Sequence, residues 1–428
     1  MSETGGASPT QPHGIGIVGT GVIAATHAEA IAAIPGARLV AVTDVVPERA
    51  VQFAGNQGCA AEPSLDALLA RDDIDVVSVC VPSGLHAEAI AAILGARLVA
   101  VTDVMPERAV EFAESRDCAV EPSLDALLAR DDIDVVSVCV PSGLHAEVGV
   151  QVAAAGKHLV VEKPIDVSLA AADRLIEAVD AAGVALTVIS QHRFDSGLVE
   201  LRGLIDDGVL GRLLLGEAST KWYRSQGYYD SGPWRGTWAL DGGSLMNQGI
   251  HYVDLLRWTM GPIVEVSAVY ATEDHKIEVE DTALAVLRFI SGAVGTIVSS
   301  TAVFPGFAQR LEVSGTGGTV LIEDGEIVRS AFTSDSPDPG LRGTRLPRPA
   351  SAEGAAANAA ALGVASHAAQ IADLLTAVEQ GREPSVTGRD GRDTLEVVLA
   401  VYQSAREGRP VVLLDATQAD EAGHGPRR

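Results

Sequence analysis

Gly14-Ile15-Gly16-Ile17-Val18-Gly19-Thr20-Gly21-Val22-Ile23-Ala24 is the stretch from which the fold is read. A short apolar run leads into G-x-G-x-x-A, and the alanine-rich segment from Ala24 to Ile34 that follows reads as a helix. Between a strand and a helix, the first glycine allows a tight turn and the second lets backbone approach a pyrophosphate. The small third residue permits close helix-to-strand packing. N–H groups at the helix start then face the phosphates. A second strand, Arg38 to Asp44, ends in a carboxylate about 20 residues past the glycines, where it would bind ribose hydroxyls. Gly19, Thr20, Gly21, Val22, Ile23 and Asp44 are therefore the expected cofactor contacts. Asp44 would repel a 2′-phosphate, so NAD is expected; Arg49, a little over one helical turn on, keeps NADP possible.

Downstream of the fingerprint the chain repeats itself. His27–Leu85 recurs as His86–Leu144, an offset of 59 residues with eight mismatches, and Ser64–Leu85 returns unchanged as Ser123–Leu144. A solenoid would need three or more units and tolerates drift between them, so a tandem duplication inside one nucleotide-binding domain is expected instead. Cys59 and Cys118, like Cys80 and Cys139, are then copies of one position and not disulfide partners. A doubly wound sheet has one slot beside its first strand. The expected division of labour gives Asp44 from copy one to the ribose. It gives Pro141, Ser142 and His145 from copy two to the nicotinamide side, with Asp103, Pro82, Ser83 and His86 as the spare set.

Copy two leads directly to His158-Leu159-Val160-Val161-Glu162-Lys163-Pro164. Proline has no N–H and restricts the residue before it, so the strand stops at Lys163. That end of an open parallel sheet is where ligands bind, which makes Glu162 and Lys163 candidate cofactor contacts and Lys163 a candidate catalytic residue.

Composition narrows the class. With 428 residues, two to three domains and an ample core are expected. A net charge of −26, spread along the chain, argues against nucleic-acid or anionic-membrane partners. Met1 to His13 has no secretory pattern, no apolar run reaches a bilayer span, and no Cys/His metal spacing occurs. A cytoplasmic protein with mostly structural thiols and no metal is expected.

The C-terminal part reads as helices and long alternating segments, among them Leu213 to Lys221, Val264 to Ala271, Thr282 to Ile290 and Val294 to Thr301. Such alternation suits an antiparallel sheet with one apolar face. Seven of the seventeen aromatics fall between Trp222 and Tyr252, an insert that also holds Arg224 and Arg235. Aromatic faces with polar forks suit a sugar-like ligand. Tyr229, Trp234, Arg235 and the nearby Arg193 are candidate substrate contacts. Asn247 and His251 are spaced i, i+4 on the helix after Asp241-Gly242-Gly243, and a histidine there is a candidate proton carrier. Ser330 to Gly363 reads as a long exposed loop, and the segments after it receive no chemistry.

Together, V-G-T-G-V-I-A, the strand ending in Asp44, P-S-G-L-H, Glu162-Lys163-Pro164 and G-G-S-L-M-N-Q-G-I-H resemble the Gfo/Idh/MocA family of NAD(P)-dependent sugar and inositol oxidoreductases. The resemblance spans about residues 14 to 413, and one copy fewer would leave 428 − 59 = 369 residues, near the family's usual size. It implies an α/β fold: a Rossmann doubly wound parallel sheet over 14–165 carrying the repeat 27–85/86–144. A substrate-binding and oligomerisation α/β domain with a large open, mainly antiparallel sheet over 166–413 would follow, with disordered ends at 1–13 and 414–428. It further implies Lys163 beside the nicotinamide, His251 as acid/base, a homodimer or homotetramer, and hydride transfer from a sugar, nucleotide-linked sugar or cyclitol. Asn247 stands where many members carry aspartate, and M-N-Q-G-I-H with Y-Y and W-R-G-T looks more like members acting on nucleotide-linked sugars. The alternatives are a non-catalytic NAD(P)-sensing protein of the same fold and an inactive duplicated variant.

Overall fold

The computed structural model describes residues 13–18, 37–43, 47–62, 71, 76–79, 90, 93, 96–116, 118–333, 343–345 and 364–413. Gly19, Thr20, Gly21, Val22, Ile23 and Asp44, and with them the expected helix 24–34, lie outside the described residues. The chain forms two compact units, 1–84 with 358–362, and 85–357 with 363–428. The division falls at the junction of the two repeat copies and not near residue 165.

In the first unit, β1 (His13–Val18), β2 (Ala37–Thr43), β3 (Ala60–Ala61) and β4 (Val76–Val79) form a parallel sheet in the order β3-β2-β1-β4. β1 is flanked on both sides, with Ile15 opposite Leu39 and opposite Val76. α1 (Pro47–Gln57) follows β2 and buries Ala50 and Ala54.

The second unit holds the equivalent strands of copy two in separate pieces. β5 (Ala100–Val101) pairs in parallel with β6 (Ala119–Val120), while β7 (Val135–Val138), β8 (His158–Val161) and β9 (Leu186–Val188) make a three-stranded parallel sheet. The doubly wound order is 3-2-1-4-5-6. Among the described residues, unit one thus has positions 3-2-1-4, and unit two has 3-2 and 4-5-6 without the first strand. The expected division of labour between copies is not what forms, because β1 takes β4 of copy one as its neighbour.

The helices of this unit cover its sheets: α2 (Pro106–Arg116), α3 (Leu124–Leu128), α4 (His145–Ala154), α5 (Leu169–Ala182), α6 (Ser196–Asp206), α7 (Ile250–Met260), α8 (Val364–Gln380) and α9 (Gly388–Glu407). Side-chain caps fix their starts. Ser168 accepts from the Ala171 N–H ahead of α5, and Thr387 with Asp390 closes a capping box ahead of α9.

The large sheet runs β17-β16-β15-β14-β10-β13-β12-β11-β18. Its members are β10 (Leu213–Lys221), β11 (Ile263–Ala271), β12 (Thr282–Phe289), β13 (Val294–Ser300), β14 (Arg310–Gly315), β15 (Gly318–Glu323), β16 (Glu326–Phe332), β17 (Gly343–Arg345) and β18 (Val411–Val412). Every neighbouring pair is antiparallel except β10 with β13. β16 and β17 occupy parts of the segment expected to be loop. Alternation decides the faces: on β12, Ala283, Ala285, Leu287 and Phe289 point into the core while Leu284 and Val286 are exposed. One continuous core joins the β7-β8-β9 sheet, α4, α5, α7, α9 and the inner face of the large sheet.

Candidate active site

β8 delivers Lys163. The strand ends at Val161, Glu162 Oε2 accepts the Lys163 N–H at 2.9 Å, and the Lys163–Pro164 peptide is cis. The turn is clamped by the residue that follows copy two. His145, 1% exposed, sets Nδ1 2.6 Å from the Pro164 carbonyl and Nε2 2.9 Å from that of Val140. Burial holds this imidazole below its usual pKa, so the neutral ring donates to one of the two carbonyls. His145 is thus a clasp between strand ends and presents no free nitrogen to a ligand, unlike the expected cofactor contact. Asp166 completes the clamp by accepting from the Ala146, Val167 and Ser168 N–H groups.

The Pro141-Ser142-Gly143 turn packs on the aromatic insert. Ser142 is buried, the Gly143 N–H donates to Leu240, and a Cβ on Gly143 would lie 2.0 Å from the Ala239 carbonyl oxygen. Only glycine fits that approach.

The helix bearing Asn247 and His251 is not a uniform α-helix. Ser244–Gly249 is a π-helical turn, and α7 begins at Ile250. The wider turn changes what the i, i+4 spacing means, because residues on a π turn are not aligned as on an α-helix. The Asn247 carbonyl accepts from Lys163 Nζ at 2.7 Å, and its side-chain amide donates to Asp241. His251 lies one step beyond, its ring 5.2 Å from that of His192 and perpendicular to it. Lys163, Pro164, Ile165, Ile250 and His251 line one small cavity. The ammonium and the imidazole therefore converge.

Glu280 holds this turn from below. It is fully buried, accepts from the Leu245 N–H and the Tyr402 hydroxyl, and its backbone carbonyl accepts from the Ser244 N–H. Gly243 lies so close that a Cβ would meet Glu280 Oε2 at 1.8 Å. Burial pushes the carboxyl up to about 7.

Electrostatics separate the roles. Burial, then the Lys163 charge and His192, hold His251 well below the ordinary imidazole range, so it is neutral at neutral pH. Burial also lowers the Lys163 pKa, with Glu162 and Asp241 opposing and Arg235 and Arg224 adding to the fall. Asp241, 1% exposed, is pushed up by burial. It accepts from the Gly236 N–H as well as from Asn247, so a carboxylate stands one hydrogen bond behind the amide.

Other expected contacts fare differently. Arg193 is bound to Asp254 by two hydrogen bonds of 2.8 and 2.6 Å and to Asp390 at 3.2 Å, which ties α7 to α9 and leaves the guanidinium structural. The Tyr229 hydroxyl is 2.7 Å from Thr301 Oγ1, and its ring packs on Tyr228 and His275, so it belongs to the wall. Arg235 lies over Trp234 and Tyr228 and donates to the Tyr228 hydroxyl at 2.8 Å. Sequence reasoning missed Asp241, Tyr228, Glu280 and Tyr402. Only Asp241 carried a signal, a carboxylate opening the Gly-Gly turn.

Among the described residues no group of acidic, His and Cys side chains is arranged to hold a metal, and no helix is long and apolar enough to cross a membrane.

The sequence model described as an oxidoreductase family with an NAD-binding Rossmann fold matches residues 13–98 and 95–190, and that of the GFO/IDH/MocA C-terminal domain matches 198–321. The chain is 29% identical to the myo-inositol 2-dehydrogenase of Thermotoga maritima over 345 residues, 77% of this chain and 95% of that protein. It is 28% identical to the scyllo-inositol 2-dehydrogenase (NAD(+)) of Bacillus subtilis, over 74% of this chain and 89% of that one. Among solved structures, the WlbA dehydrogenase of Bordetella pertussis in complex with NADH and UDP-GlcNAcA is similar, with a TM-score of 0.66, 28% identity and coverage of 96% and 100%. Levoglucosan dehydrogenase in complex with NADH, at 20% identity and a TM-score of 0.68, shares the fold.

Proposed function

The chain belongs to the Gfo/Idh/MocA family of oxidoreductases, and from that premise we propose that it oxidises a secondary alcohol carbon of a sugar, nucleotide-linked sugar or cyclitol at the Lys163–His251 site. NAD is the cofactor. Its nicotinamide supplies the hydride acceptor when bound.

The residues present fit that cofactor. Lys163 ends a parallel strand, where dinucleotides bind, and the Pro141–Ser142 turn ends the neighbouring strand. Glu162, Pro141 and Ser142 would border the nicotinamide side.

His251 accepts the hydroxyl proton. Its depressed pKa keeps it in the unprotonated form that a base requires. Lys163 hydrogen-bonds the same oxygen and stabilises the negative charge that develops there as the carbon–hydrogen bond breaks. Asn247 and Asp241 orient the lysine, and Trp234 and Arg235 border the sugar. The single observation that carries this reading is the Lys163–Asn247 hydrogen bond, which holds the ammonium at the turn leading into His251.

Following NADH formation over a panel of sugars and cyclitols, Lys163→Ala and His251→Ala should each lose at least ~100-fold in turnover. Near wild-type rates in both would refute the roles. The pH profile supplies a second check. Turnover should hold down through the ordinary imidazole range and fall only on its acid side, where His251 becomes protonated. It should decline below the ordinary lysine pKa on the alkaline side, as Lys163 loses its charge.

Val269, Leu284, Val286 and Val294 leave an apolar patch exposed on the outer face of β11, β12 and β13, which supports a homo-oligomer formed through that face. Light scattering of the full chain tests it. A cytoplasmic location completes the reading.

A further inference from the structure

Beside Lys163 lies a pair of guanidinium groups that the hydride-transfer roles do not use. Arg224, 7% exposed, lies over the rings of Trp222 and Tyr228, 4.8 and 5.6 Å from their centroids. Arg235 lies 4.5 Å from the Tyr228 centroid. Tyr228 in turn receives a hydrogen bond from Gln248 at 3.1 Å, next to Asn247 on the π-helical turn. The pair is thereby tied to the elements that carry the reacting site.

Arg193 provides the control. It is equally buried, 6% exposed, and is met by two carboxylates. Among the described residues no carboxylate oxygen comes within 4.0 Å of Arg224 or Arg235. Arg224 Nη1 donates to the Tyr223 carbonyl at 3.0 Å, but its buried Nε–H has no acceptor, and neither has the buried indole N–H of Trp222. A buried charge without a counterion and a buried donor without an acceptor are both destabilising. Rings stacked on the guanidiniums return part of that. Buried donors without acceptors beside an unmatched charge are what a ligand bearing anionic oxygens would complete. The Asp241 carboxylate accepts from the Gly236 N–H and from Asn247 and feels the charges of both Arg235 and Lys163, without coming within 4.0 Å of either guanidinium.

We propose that Arg224 and Arg235, stacked on Tyr228, form an anion subsite, so that the sugar oxidised at Lys163 and His251 carries a carboxylate or phosphate group. The inference rests on the oxidoreductase reading for the rest of the substrate. Guanidinium forks suit either oxyanion, and a charge-assisted pair is stronger than one to a neutral hydroxyl.

The test measures dissociation constants of D-glucuronate, D-glucose 6-phosphate and D-glucose by thermal shift at matched ionic strength, with NADH present. The full chain is compared with Arg224→Gln and Arg235→Gln. At least one anion should bind ~10-fold or more tightly than glucose, the arm that responds naming the oxyanion, and both variants should lose that preference while still binding NADH. Equal binding of all three sugars, no binding of any, or an unchanged preference in both variants would overturn the subsite. NADH binding, followed by its fluorescence in the same samples, separates the two readings. If it is absent, the oxidoreductase assignment fails while the anion arms stay readable; if it is present without anion preference, only the subsite fails. Should a Gln variant fail to fold, Arg224→Lys, which keeps charge but not the fork, should retain part of the preference.

Discussion

Ala37–Thr43 and Ala96–Thr102 have the same seven residues and different structures. The first contributes the seven-residue strand β2, with Val40, Ala41 and Val42 buried at 5%, 0% and 0% exposure. The second yields the two-residue β5, and its Val99, Ala100 and Val101 are only half-buried. Local propensity is identical by construction of the sequence, so propensity does not decide the outcome. The difference is a partner: β2 has β1 beside it and β5 does not. A strand is a pairing before it is a sequence property.

This comparison can be broken most sharply by removing one copy. Deleting His27–Leu85 or His86–Leu144 leaves nearly the same 428 − 59 = 369-residue chain, with a single first strand and a single run into Lys163. Both deletions should bind NADH equally, and more tightly than the full chain by about 100-fold, or ~2.7 kcal/mol. Equal affinity of the full chain in a fluorescence titration would mean that the second copy costs the cofactor site nothing.

A smaller effect sharpens it at one residue. His145 clasps the Lys163–Pro164 turn, whereas His86, the residue that follows copy one, has Val104 and Met105 at the same spacing. Removing the His145 ring strands a buried carbonyl, so His145→Ala should lose about 2 kcal/mol in denaturant unfolding. His86→Ala should change stability by less than ~0.5 kcal/mol. Similar losses in both would show that copy one has a clasp of its own.

The smallest effect compares the copies directly. Val42→Ala removes two buried carbon groups and should cost about 1.6 kcal/mol, while Val101→Ala should cost less than ~1 kcal/mol in the same unfolding measurement. Equal costs would mean that the second copy is packed as tightly as the first.

The site was legible where chemistry depends on short-range pattern. Lys163 before proline and His251 after a Gly-Gly turn were visible because a strand stop and a helix start are local events. Arg193 was misread as a ligand contact, since its partners Asp254 and Asp390 are 61 and 197 residues away. Glu280 and Tyr402, which support the π-helical turn, reach it from 35 or more residues away along the chain, and no spacing rule reports such contacts.

By itself the sequence determined the family and the cofactor class, and it singled out Lys163 and His251 as candidates, because these rest on residue types in short fixed order. Tertiary structure alone decided which repeat copy flanks the first strand, which arginine is met by carboxylates and which is not, and where a π turn sets Asn247 against Lys163. Those outcomes depend on which distant groups compete for one position, and hydrogen-bond partners and counterions are assigned in space.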